Sequence, residues 1–145
     1  SHGTLFGSDN QLYFLWVIGE WLRITGDKGF LLENLEYYPM GSGAMGTILE
    51  KIEIAYQYFR DEVGTGPNGW IKNLDSDWSD DVHFVSNTAP YNRNFEKSES
   101  MTNTAMATVC FKTLADELEI VSKDPAFSPY KTKIEALVKA LRLYR

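Results

Sequence analysis

Four carboxylates crowd into seven residues at Asp75-Ser76-Asp77-Trp78-Ser79-Asp80-Asp81. Like charges at that spacing repel, which raises the pKa of at least one of them. Trp78 in their midst can desolvate a carboxyl group and offers a flat apolar face. A protonated Asp beside an aromatic platform is what glycoside cleavage requires of its general acid. The plain alternative is a solvated acidic turn. A calcium loop is the third option, because Asp75, Asp77 and Ser79 alternate. Its sixth position is Asp80 rather than Gly and its twelfth Ser86 rather than Glu, which argues against an EF-hand.

Three further residues belong with this cluster as candidates. Asp9 precedes an apolar helical run, where it serves either as a cap or as a ligand for sugar hydroxyls. Glu99 sits before a second such run and has the same two readings, helix-dipole partner or ligand. Trp70 follows Gly66-Pro67-Asn68-Gly69 and is available as a stacking surface. Trp16, Trp21, Met101 and Met106 fit core positions better than a site. Cys110 lies in an apolar stretch, which suits a buried, inert thiol. Neither His2 nor His83 is marked out as a base or ligand.

The elements that must carry these residues can be read from periodicity. After Ser8-Asp9-Asn10, residues 11–25 are apolar nearly all round, with Glu20 and Arg23 as the charges; such a helix is buried on most sides. Gly26 supplies its stop, and residues 28–36 add one short helix. Residues 44–63 form an amphipathic helix with Met45, Ile48, Leu49, Ile52, Tyr56, Phe59 and Val63 on one face. The breaker run 64–69 ends it. Residues 64–98 lack sustained helical periodicity, and their many aromatic side chains favour an ordered functional loop over disorder. A third helix runs from near Glu99 to about Ser122, again apolar in its first half. The fourth covers roughly 128–145, with Ser128-Pro129 as cap and first residue.

The order buried, amphipathic, buried, amphipathic predicts an all-α fold in two layers, inner helices walled by outer ones. Four equivalent amphipathic helices would instead suit a simple bundle. If the directions alternate, both inner helices start on one face. Asp9, the acidic tryptophan loop and Glu99 then share that face.

Composition bounds the partners. The chain has 145 residues, one domain's worth, and is 43% apolar, enough for a core. Its net charge of −6 argues against a nucleic-acid surface. With one Cys and two His, neither a disulfide framework nor the usual zinc spacing is available. The longest apolar stretch, near Leu12–Ile18, is too short to span a membrane. No signal-peptide pattern opens the sequence, so a cytoplasmic location is favoured.

These residues resemble a known group. Gly7-Ser8-Asp9-Asn10 with the helix LYFLWVIGEWLRITGD is similar to the inner-helix opening of six-hairpin glycosidases, in particular the cellobiose and chitobiose phosphorylase family. Asn68-Gly69 leading to Asp77-Trp78-Ser79-Asp80 resembles that family's D-W-N-D-G segment. Ser98-Glu99-Ser100 before an apolar helix resembles its E-S step. The landmarks fall in the family's order and span nearly the whole chain.

The resemblance implies consecutive helical hairpins of an (α/α)6 barrel. It also implies cleavage of glycosidic bonds, with inversion, and Asp80 as general acid. Trp78 would pack at the sugar, with Asp9, Asp77, Trp70 and Glu99 as further substrate-binding positions. Neither cofactor nor metal is implied. Ser79 stands for the family's Asn and Asp81 for its Gly, so Asp81 competes with Asp80 for a shared proton. The departure moves the match from true phosphorylases toward hydrolases. A full ring of twelve helices needs upwards of roughly 200 residues, so the chain is expected to be about a third of such a domain and inactive when isolated. The expected partner is an oligosaccharide or glycoside; exposed inner-helix surface would favour a homo-oligomer or contact with the remainder of the same polypeptide. The alternatives to a hydrolase are a glycoside phosphorylase, a noncatalytic carbohydrate-binding module and a helical interaction domain.

Overall fold

The computed structural model describes residues 9–74 and 98–144. Helix α1 (Asn10–Thr25) buries Leu12, Leu15, Ile18, Gly19 and Leu22, the three-and-four spacing of a single helical face. Gly26 ends it in the left-handed region at φ 67°, its N–H donating to the Leu22 carbonyl at 2.9 Å.

The next stretch departs from the expected short helix. A 3₁₀ turn, Gly29–Leu32, is followed by strand β1 (Asn34–Glu36), which pairs antiparallel with β2 (Met45–Thr47), Asn34 opposite Thr47. The loop between them closes on Glu36, whose carboxylate accepts from the N–H of Gly41 at 2.7 Å and of Gly43 at 2.8 Å. Both glycines sit at positive φ, which a continuing helix does not allow. Of residues 44–47, expected to open the second helix, Met45–Thr47 are therefore strand.

Helix α2 (Ile48–Tyr58) begins instead with a capping box. Thr47 Oγ1 accepts from Glu50 N–H at 3.1 Å, and Glu50 accepts in return from Thr47 N–H at 2.8 Å. Its apolar face, Ile48, Leu49, Ile52 and Tyr56, continues through Phe59 and Val63 of a π-helical turn (Phe59–Val63), all buried as the periodicity predicts. Helix α3 (Met101–Ser122) starts at Ser100, whose hydroxyl accepts from Asn103 N–H at 3.0 Å. The final hairpin turns on a 3₁₀ segment, Pro125–Tyr130, capped by Asp124. Helix α4 (Lys131–Leu143) therefore starts later than the Ser128-Pro129 pair suggests. Ile134, Leu137, Val138 and Leu141 form its buried stripe.

Three contacts fix the direction of α1 against α3. Cys110 Sγ lies 3.6 Å from the Leu12 carbonyl, Gly19 faces the backbone of Leu114, and Lys28 pairs with Asp124 at 2.8 Å. Residue numbers rise together along both helices, so they run parallel. A Cβ at Gly19 would stand 3.3 Å from the Leu114 nitrogen, so the two backbones approach closely at this point. Lys133 pairs with Glu53 at 2.5 Å, and the Tyr56 hydroxyl donates to the Ala140 carbonyl at 3.1 Å, so α2 and α4 are parallel as well. The short Pro125–Tyr130 connection joins the end of α3 to the start of α4, and Tyr144 just past the end of α4 packs back on Phe111, so this second pair runs antiparallel to the first. Tyr56, Phe59, Phe111 and Tyr144 interlock at ring-centroid distances of 5.1–6.2 Å where α2, α3 and α4 meet.

The fold is thus mostly helical, four α-helices among the described residues with one short hairpin. A further expectation fails. Tyr13, Trp16, Val17, Trp21 and Ile24 are 41–71% exposed, and Met101 is 66% exposed, so Trp16, Trp21 and Met101 are not core residues. The physical reason is that α1 is apolar on two faces, and α2 and α3 together cover one of them. Met106 packs at the edge of the core as expected.

Candidate functional site

The parallel course of α1 and α3 puts their starts at one end of the molecule. Residues 64–74 and Ser98 lie at that same end. Asn73 N–H donates to the Ser98 carbonyl at 3.0 Å and Ser100 N–H to the Ile71 carbonyl at 2.7 Å. The acidic cluster, with Asp77, Trp78 and Asp80, lies outside the described residues. The points where the chain departs for it and returns from it are joined side by side.

Asp9 is the residue before α1. Its carbonyl accepts from Tyr13 N–H at 3.0 Å, and its side chain makes no capping bond to the helix. Asp9 and Glu99 stand at different heights. Counting from the Leu12–Cys110 contact at ~1.5 Å per residue, Asp9 lies roughly 5 Å and Glu99 roughly 16 Å along the helices, so α3 overhangs α1 by about two turns.

Glu99 is enclosed by the turn that carries Trp70. One carboxylate oxygen accepts from the N–H of Asn68 and of Trp70, both at 3.0 Å. The other accepts from Asn68 Nδ2 at 2.7 Å. The turn is closed on itself by Gly66 N–H donating to the Trp70 carbonyl at 2.8 Å, and Thr65 bridges Ile71 antiparallel. Gly69 takes φ 83°, a backbone position that favours glycine. Gly66 is required for a different reason. A Cβ there would stand 2.5–2.6 Å from the Glu99 carboxylate and its neighbouring carbons. Loss of solvent works to raise the Glu99 pKa, but the donors from Asn68 and Trp70 outweigh it and hold the carboxyl below the usual range. A carboxylate so held is a poor proton donor near neutrality. It can orient a neighbour.

Trp70 itself is 43% exposed. Ile71 beside it is buried, and its N–H donates to Thr104 Oγ1 at 3.0 Å in the first turn of α3. The alternation of an extended segment sends the two side chains to opposite sides. On the Ile71 side lies a cavity of about 250 Å³, with Phe111 and Tyr144 in its wall and Lys112, Asp116 and Arg142 at its polar edge. Burial, with a smaller contribution from Tyr56, pushes the Tyr144 hydroxyl up to about 12, so it stays protonated. It finds no hydrogen-bond partner among the described residues. Cys110 is buried as expected, and burial pushes its thiol up to about 12, which makes it a poor nucleophile.

The sequence marks Glu99 and Trp70 as candidates; Gly66 and Thr104, which help connect them, carry no such mark, and Asn68 enters only through the resemblance. The signal that points to them is the density of turn residues at 64–69, whose tight backbone leaves N–H groups in need of an acceptor. Among the described residues no group of three or more His, Cys, Asp or Glu is placed to hold a metal ion. No described helix is long and apolar enough to cross a membrane. No family model, curated relative or solved structure matches this chain.

Proposed function

We propose that the chain is part of a carbohydrate-active enzyme of the six-hairpin type that cleaves glycosidic bonds by inversion, with Asp80 as general acid. The observation that carries this reading is the convergence of two parallel helix starts, an exposed Trp and the anchored ends of the acidic tryptophan loop at one end of the fold. Glycosidases that invert need two carboxyl groups roughly 6.5–9.5 Å apart across the bond. In this reading the second comes from outside the described residues. The uncovered apolar face of α1 suits contact with further helices of a ring or with a second copy.

In the protein that carries this sequence, Asp80→Asn is expected to lower turnover of natural glycosides by about 10²-fold or more. Its circular dichroism and Tm should match those of the wild type. Asp77→Asn is the matched control and should cost much less. Running both with and without inorganic phosphate separates hydrolysis from phosphorolysis. An Asp80→Asn variant with near-wild-type rates would remove the assignment. A noncatalytic sugar-binding module is the second reading, favoured by the full commitment of Glu99 to backbone and amide donors. It predicts saturable disaccharide binding with no cleavage under any of these conditions.

A further inference from the structure

We propose that Glu99 is a positioning residue whose carboxylate locks the 64–71 turn so that the indole of Trp70 is held as a stacking platform for a sugar ring. The inference rests on the carbohydrate reading above and specifies how its binding surface is built.

The backbone of Trp70 is held from both sides. Its N–H donates to Glu99, and its carbonyl accepts from Gly66. The residue after it is tied to Thr104 and, through its carbonyl, to the Ser100 N–H. The turn is therefore fastened to the first turn of the 22-residue helix α3. Both oxygens of Glu99 are used within it, and the absence of a side chain at Gly66 leaves room for them. From this fixed backbone the indole stands out 43% exposed.

An aromatic surface fixed before the ligand arrives loses little freedom on binding, which is how preorganisation raises affinity. The face of an indole accepts the C–H face of a pyranose while the sugar's hydroxyls stay directed to polar groups and water. The chemical class that fits is a neutral disaccharide or longer glycan, engaged by one ring over Trp70.

The test uses the full 145-residue chain, titrated calorimetrically with cellobiose, diacetylchitobiose and maltose. The wild type should bind at least one of them saturably. Trp70→Ala should weaken that binding by roughly tenfold or more, the penalty of removing an aromatic anchor. Glu99→Ala should weaken it to a similar degree. Glu99→Gln should rescue most of the loss, because its amide oxygen still accepts from the Asn68 and Trp70 N–H groups. In the Trp70→Ala background, Glu99→Ala should cost nothing more, because the two act as one unit. If Glu99→Ala does not fold, Gly66→Ala displaces the carboxylate directly and supplies the same comparison. Equal affinity of wild type and Trp70→Ala overturns the proposal while leaving a carbohydrate site in place. So does a Glu99→Ala penalty that persists undiminished without Trp70. No binding by the wild type to any of the sugars overturns both the proposal and the reading beneath it.

Discussion

Glu99 shows how far the surroundings of a single side chain change its chemistry. On sequence it is an acid near a helix start, with the helix dipole as its natural partner. In the fold it faces away from that role and fills a turn. Its depressed pKa gives the sign of a pH effect. The interaction is fully present above the ordinary Glu value of 4.5 and is lost as pH falls through the lower folded value. A titration following the indole N–H resonance of Trp70 should stay flat from neutrality down past that value and move only in stronger acid. A transition centred between pH 5 and 7 would contradict the arrangement. Ser100 is the neighbouring case. It is 2% exposed and caps α3, so Ser100→Ala should cost about 1 kcal/mol in a urea melt.

At the scale of elements, the apolar face of α2 was legible because a single face carries it, and its predicted stripe is buried apart from Met45 at its edge. The start of α2 was not legible, since Ala44, Met45 and Gly46 belong equally well to a helical or an extended pattern. The capping box between Thr47 and Glu50 settles it by supplying donors and acceptors that begin the helix at Ile48, four residues later. Helix α1 misled in the other direction. Periodicity measures which faces are apolar, but it does not say whether a neighbour exists for each of them. Two substitutions separate these contributions. Phe59→Ala, at the centre of the aromatic cluster, should cost about 3–5 kcal/mol. The double variant Val17→Lys/Ile24→Lys should leave Tm within a few degrees of the wild type, since both side chains are more than half exposed. Gly19 tests the helix crossing, where Gly19→Val forces α1 away from Leu114 and should lower stability by about 1–3 kcal/mol. Chemical denaturation reads all three.

At the scale of the molecule, two parallel pairs run antiparallel to one another, the condition under which α1 and α3 start at one end. The expected walling-in of these two helices is not met, since Val17, Ile24, Met101 and Val109 are exposed. The candidate site was legible in part. Asp9, Trp70 and Glu99 do come to the same end, as the alternating directions require. The overhang of α3 beyond α1 was not foreseeable, because helix register depends on side-chain fit at Gly19 and Leu114 rather than on hydrophobic period. Asp77, Trp78 and Asp80 lie outside the described residues, and their part in the chemistry rests on the substitutions set out above.

The bonds from Asn73 to Ser98 and from Ser100 to Ile71 act as a clasp across residues 75–97. Two main-chain hydrogen bonds thus hold the described residues on either side of that span to each other. The join is made by the backbone of residues 71–73 and 98–100, so it makes no demand on which side chains the intervening sequence carries.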